Sequence, residues 1–299
     1  MVVSLGLTLT LAVIKLPNFA HAEFLTVGAY VGVVISAVYP NNFIVVGAAA
    51  FVACAALALA IHHIAFKPLM DRRVSIYILV LASFAVAQFI RYGVFIWGSF
   101  TGLLDTTQNI HIYSVATIFN TALTNVYVVA IVLAILISLL LEAFFNFTIL
   151  GKSMRAIASN TDLARISGIN VPRVVDTMWI LAGGLGGLGG VVYGTYTAVT
   201  PVLGFGTLLE IFAVVIIAGL TSFTGTIIGG YVVGLSQVTL MDFLHYYLNV
   251  SYGYQPLLPF ALIIVILLFK PTGLAPSRTG FSWARSLLER GSRPKETKG

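Results

Sequence analysis

Apolar positions in this 299-residue chain come in long blocks, at 2–14, 24–38, 43–66, 75–97, 112–147, 177–199, 207–220, 227–248 and 256–270. Their lengths rule out ordinary strands, and none shows the strict alternation of a membrane barrel, so each block reads as helix. The pattern predicts an all-α, polytopic membrane bundle of eight or nine transmembrane or partial-spanning segments. Four blocks (2–14, 24–38, 207–220 and 256–270) are short of the ~20 residues that cross a bilayer. The first, MVVSLGLTLTLAV, lacks the basic n-region and the small-x-small cleavage site of a signal peptide. It reads as mature membrane sequence whose beginning is shortened.

The block at 2–14 leads through a polar turn to Gly28-Ala29-Tyr30-Val31, and the block at 207–220 leads through another to Gly229-Gly230-Tyr231-Val232. Short segments at corresponding places mark the halves of an internal transporter repeat, although two matches of this length also arise by chance.

Composition agrees with the blocks. Only 9% of residues are charged and 59% are hydrophobic, against about 25% charged in a soluble domain. The net charge of +6 does not indicate nucleic acid, because fourteen of the sixteen Lys and Arg residues fall at 67–73, 151–173 and 270–299. Basic connections that alternate with connections free of Lys and Arg are what the positive-inside rule produces. The basic segments therefore belong to the cytoplasmic face. Pro40-Asn41-Asn42, the 98–110 segment and Asn249 to Gln255 belong outside. Residues 1–270 form a membrane domain in the cell membrane, and 271–299 a basic, cytoplasmic C-terminal tail. Cys54, the only cysteine, lies in an apolar block and packs as a small hydrophobe.

Two motifs mislead. Gly151-Lys152-Ser153 resembles the end of a P-loop, but position 146 is Asn where the pattern needs Gly, and no strand precedes it. Gly184, Gly186 and Gly189 spell a dinucleotide fingerprint, with Glu210 near the ribose-acid position, yet WILAGGLGGLGGVVYG is an uncharged membrane segment rather than a strand–turn–helix unit. Gly183, Gly187, Gly190 and Gly194 recur at spacings of three and four along one helical face, and Gly225 and Gly229 repeat the device. Small residues at that spacing let membrane helices approach closely. No cofactor and no metal is predicted, the five histidines having no metal-ligand spacing, and no catalytic constellation marks an enzyme. His62-His63 falls at the inner interface.

Arg91 lies inside the block at 75–97. A charge there costs at least a few kcal/mol and is a functional candidate by default; the plainer reading lets it snorkel to the outer interface. Asn18, Gln88, Arg91, Asn120 and Asn125 are the candidates for a translocation pathway. The last two serve equally as hydrogen-bonding links between helices.

The polar interruption GKSMRAIASNTDLARISGIN, residues 151–170, reads as two short helices. Met154, Ile157 and Ala158 make an apolar stripe, the Ser159–Asp162 run offers caps for a second helix, and Gly168 is placed to end it in the left-handed conformation. Asn170 and Pro172 suit the next helix start. An ordinary loop that only sets topology would not need this punctuation, whereas a knob that docks on another protein would.

RAIASNTDLARISGINVPRVV resembles the cytoplasmic segment of the permeases of branched-chain amino-acid ABC importers. GLTLTLAVIKLPNFAHAEFLTVGAYV, KPL at 67–69, VVIIAGLTSFTGTIIGGYVVG at 214–234 and LLFKPTGL at 267–274 match in the same order. Departures are the short start, His-Ala-Glu at 21–23 in place of His-Gly-Glu, and LTSFTG at 220–225 in place of a glycine-rich turn with Pro.

The resemblance implies a permease subunit that works with two cytoplasmic ATP-binding subunits, a second permease subunit in a heterodimer, an extracytoplasmic substrate-binding protein and membrane lipid. It implies leucine, isoleucine or valine as substrate, with urea, short amides and other amino acids as the alternatives. It also makes 151–173 the ATPase-coupling element, carried by Met154, Arg155, Ala156, Ala158, Asp162, Ala164, Gly168, Ile169 and Asn170. A self-contained secondary transporter is the rival reading, but it leaves the helical knob unexplained and lacks a set of buried carboxylates for ion coupling.

Overall fold

The computed structural model describes residues 1–118, 121–269 and 273, leaving the expected C-terminal tail at 271–299 outside the described residues except for Gly273. The chain folds into α1 (Val2–Ile14), α2 (His21–Val38), α3 (Phe43–Ile61), α4 (Lys67–Asp71) and α5 (Ile76–Thr101). A hairpin of β1 (Ser114–Ile118) and β2 (Thr121–Thr124) leads into α6 (Asn125–Phe147). Then come α7 (Ile149–Ser159), α8 (Thr161–Ile166), α9 (Val171–Gly194), α10 (Leu203–Ala218), α11 (Phe223–Leu248) and α12 (Leu257–Phe269). Among the described residues six helices are long and apolar enough to cross a membrane, and α1, α10 and α12 are shorter apolar helices. That is the helical bundle the apolar blocks predict. One π-helical turn, His62–Phe66, joins α3 to α4.

Among the described residues the hairpin, with an isolated antiparallel bridge between Thr106 and Val199, departs from an all-helical reading. Residues 112–147 form one apolar block, but only its second part is helix. β1 and β2 pair antiparallel, Ile118 opposite Thr121 and Ser114 opposite Thr124, with an irregularity between Ser114 and Ala116. The physical reason lies in the composition of SVATI and TALT, rich in the β-branched residues that favour a pleated chain. Thr124 then caps α6 by accepting from the Tyr127 amide, so helix begins where the branched, Thr-rich stretch ends.

α9 occupies the centre. Of its apolar window 67% is buried, against 17% for α5 at the periphery. Its glycines do not line a single face as their spacing suggests. A Cβ on Gly187 would lie 2.5 Å from the Ala50 carbonyl oxygen, and one on Gly183 would strike Ala58 and the Cys54 carbonyl, both on α3. A Cβ on Gly186 would lie 2.7 Å from the Phe24 Cβ, and one on Gly190 would run into the Leu25 carbonyl, both on α2. Gly194 faces the Gln108 amide and Val199. α9 is thus wedged between α2 and α3, and two adjacent helices need its missing side chains at once. On α11, Gly229 sits against the Val214 carbonyl of α10, and the Gly225 amide donates to the capping Ser222 hydroxyl at 3.0 Å.

α1 and α2 are not one helix with a bend. Lys15, in the left-handed region at φ 56°, ends α1. The His21 ring Nε2 then meets the Val3 carbonyl at 2.8 Å. The start of α2 therefore lies beside the start of α1, and residues 15–20 run back along the whole of α1. The Phe19 amide donates to the Ser83 hydroxyl at 3.1 Å, tying this return segment to α5.

Candidate functional site

The polar segment at 151–170 folds as two short helices with the punctuation its residues suggest. Thr148 caps α7 by accepting from the Gly151 amide at 3.0 Å, and Asn160 caps α8 by accepting from the Leu163 amide at 2.9 Å. Gly168 is left-handed at φ 84°. Around it the Ile169 amide donates to the Ala164 carbonyl and the Gly168 amide to the Arg165 carbonyl, each at 3.1 Å. This paired arrangement satisfies the last carbonyls of α8 and reverses the chain. Asn170 then accepts from the Arg173 amide at 3.2 Å and opens α9.

Most of the Met154/Ile157/Ala158 stripe faces the interior of the bundle. Met154 and Ile157 are 1% and 3% exposed, packed in the chain's own core with Leu9, Val13 and Phe145. Ala164 is buried in the same cluster. An i, i+3, i+4 stripe tells that a helix has an apolar side, not whose apolar surface covers it. Ile149 and Leu150 are exposed at the start of α7, and within 151–170 the exposed large apolar residues are on α8, Leu163 at 57% and Ile166 at 81%. Asp162, Gly168 and Asn170 are exposed around them, while Ala156, Ala158 and Ile169 are half-buried. Arg155 turns inward and donates to the Phe145 carbonyl and, at 3.2 Å, to the Asn146 side chain. It thereby supplies a cation to the C-terminal end of α6.

Within the bundle, Arg91 does not snorkel. It is buried, donates through Nε and Nη2 to the Glu23 carboxylate, and lies over the Phe205 ring at 4.0 Å. The other oxygen of Glu23 accepts from the Thr26 hydroxyl at 3.2 Å, and that hydroxyl accepts from the Gly204 amide at 2.9 Å. One network therefore joins α2, α5 and α10. Sequence reading missed Glu23 as the partner because sixty-eight positions separate it from Arg91.

The remaining polar candidates scatter. Asn18 holds the turn just before α2, its Oδ1 accepting from the Ala20 amide at 3.1 Å, while Nδ2 is buried with no partner among the described residues. Gln88 likewise has a buried, unpartnered Oε1. Asn125 holds the base of the hairpin: its Oδ1 accepts from the Tyr113 amide and its Nδ2 donates to the His111 carbonyl. Asn120 lies outside the described residues. At the other end of α3, His62 and His63 approach Asp176 through their Nε2 atoms at 3.6 and 3.2 Å.

Comparison with known proteins matches most of the chain. The chain is 29% identical to the probable branched-chain amino acid transport permease protein LivH of Methanocaldococcus jannaschii, over 94% of this chain and 89% of that protein. It is 25% identical to the high-affinity branched-chain amino acid transport system permease protein LivH of Escherichia coli, over 91% and 89%. To the corresponding permease protein BraD of Pseudomonas aeruginosa it is 21% identical, over 91% and 90%. No solved structure matches. The family model described as branched-chain amino acid transport system / permease component matches residues 1–267, and with its multi-pass helical bundle the chain belongs to that family of ABC transporter permeases.

Proposed function

We propose that the chain is a permease subunit that passes leucine, isoleucine and valine inward across the cell membrane, driven by ATPase partners. The observation that carries the proposal is the near-full-length similarity to permeases named for branched-chain amino acid transport. Two ATP-binding subunits dock on the cytoplasmic face, a second permease subunit completes the membrane part as a heterodimer, and an extracytoplasmic binding protein delivers the substrate. The C-terminus lies on the cytoplasmic side.

The knob is the coupling element, and its geometry supports a route for force. α8 offers Leu163 and Ile166 outward, while α7 is rooted through Met154 and Ile157 among residues of α1, α6 and α9. A pull on α8 then reaches α9, which is locked to α2 and α3 through its glycines. Helices packed this closely move as one body rather than sliding singly, which suits rocking between outward-open and inward-open states.

The test is ATP-dependent uptake of labelled leucine into vesicles holding this chain with its ATPase, second permease and binding-protein partners. Uptake that requires the chain and competes with isoleucine and valine is expected. Uptake of another solute to the exclusion of these three would overturn the substrate reading.

A further inference from the structure

α6 carries a single acidic or basic side chain, Glu142, in an otherwise apolar helix of 23 residues. Only 22% of its apolar window is buried, and Glu142 lies on the uncovered side. Exposed Val132, Ile135, Leu139, Glu142 and Asn146 follow one another at spacings of three and four. That is the seam by which one helix packs lengthwise on another.

The carboxylate does not stand at the edge of the apolar belt. Leu139 and Leu140 are exposed before it, and Phe147 and Ile149 are 80% and 83% exposed beyond it toward the knob. At 1.5 Å per residue, Glu142 lies about 7.5 Å inside the end of α6. Among the described residues the acids that pair with a cationic side chain are Glu23 and Asp176, not Glu142. Arg155, the cation at this end of α6, donates instead to the Phe145 carbonyl and the Asn146 side chain. Ionisable residues in membrane helices almost always face protein or a water-filled cavity and pair there, because hydrocarbon disfavours the charge. α6 turns Glu142 outward, so its partner comes from outside the described chain.

We propose that this side of α6 is the docking face for the second permease subunit, with Glu142 pairing to an Arg or Lys on the partner helix seated along it. The proposal rests on the reading of the chain as one of two unlike permease subunits, and names where they meet. Charge and depth select that occupant. ATPases reach only the cytoplasmic face, and lipid tails offer no cation. A second copy of this chain, packed through the same face, would bring another carboxylate to the seam. α6 also leads directly into the Thr148 cap of α7, so a shift between the two permease subunits along α6 would reach the knob.

The complex of this chain with its second permease and ATPase partners, held in lipid nanodiscs, provides the test. A p-benzoylphenylalanine placed at Leu139 should crosslink on illumination to peptides of the second permease, identified by mass spectrometry. Glu142→Leu separates lipid from protein by its outcome. On a lipid-facing helix, removing the charge leaves assembly unchanged. At a paired seam it strands the partner's cation, and copurification of the second permease should fall at least about tenfold. Glu142→Asp, which keeps the charge, should retain most of the association. Both variants should accumulate as monodisperse chain, because the side chain is exposed.

Crosslinks from Leu139 only to lipid, to an ATPase, to a second copy of this chain or to its own 271–299 segment overturn the proposal, and so does native association in Glu142→Leu. A complex that assembles through this face but takes up no leucine removes the substrate reading and leaves the docking face standing. A native chain that binds no second permease at all removes the two-subunit reading, and the docking face with it.

Discussion

Arg91 on α5 and Glu23 on α2 pair inside the bundle, both side chains at most 9% exposed. Glu23 sits in the first turn of α2, where a helix N-terminus favours a negative charge, so the pair fixes the place at which the chain re-enters after α1. Removing one partner of a buried pair strands the other charge, at a cost of about 3–5 kcal/mol, whereas replacing both with apolar residues of similar volume is often tolerated. Arg91→Met and Glu23→Leu should each lower the thermal midpoint of the purified protein strongly, and the double variant should recover most of the loss. A double variant as unstable as the sum of the singles would show that the two side chains act separately.

Gly187 tests the wedge. A leucine there meets the α3 backbone at Ala50 and the Cys54 side chain, and overpacking of this kind costs typically ~1–3 kcal/mol. Gly93 on α5 is also helical, yet a Cβ there meets nothing within 4 Å. Gly187→Leu should accumulate poorly as monodisperse protein, and Gly93→Leu should accumulate normally. Similar yields from both by gel filtration would argue against a close α3–α9 seam.

Topology is tested with cysteines against the buried background of Cys54. Ser251, exposed between α11 and α12, should react with an impermeant reagent applied to intact cells when replaced by cysteine. Ser167, exposed at the end of α8, should react only after the cells are opened when it is replaced in the same way. Labelling of the Ser167 position in intact cells would put the knob on the wrong side for ATPases.

The periodic features were legible in the sequence because they are local. Asn160, Gly168 and Asn170 act within a few residues of themselves, and each holds the capping place its chemistry suggests. What escaped depends on distant segments. The glycines of α9 announce close packing, but which helices they meet is decided by where α2 and α3 lie. The block at 112–147 was apolar throughout, and hydropathy does not separate a hairpin of branched residues from a helix. Met154 illustrates the same limit: its stripe is real, yet α1, α6 and α9 of its own chain cover it.

The placement of Met154 and Ile157 changes which substitutions report on coupling. Met154→Glu buries a carboxylate in the bundle core and should destabilise the protein itself, so its effect on transport would be uninformative. Ile166→Glu replaces a side chain that is 81% exposed and makes no core contact, and exposed substitutions usually shift stability by less than about 0.5 kcal/mol. The isolated permease should therefore fold and melt as the native chain does. If α8 enters a cleft of the ATPase, burying that new carboxylate without a partner is strongly disfavoured, and copurification with the ATPase and leucine uptake should both fall at least tenfold. Lys152→Gln, exposed on α7, should change neither, since the remaining basic residues still hold the segment inside. Native levels of association and uptake in Ile166→Glu would move the docking surface off α8.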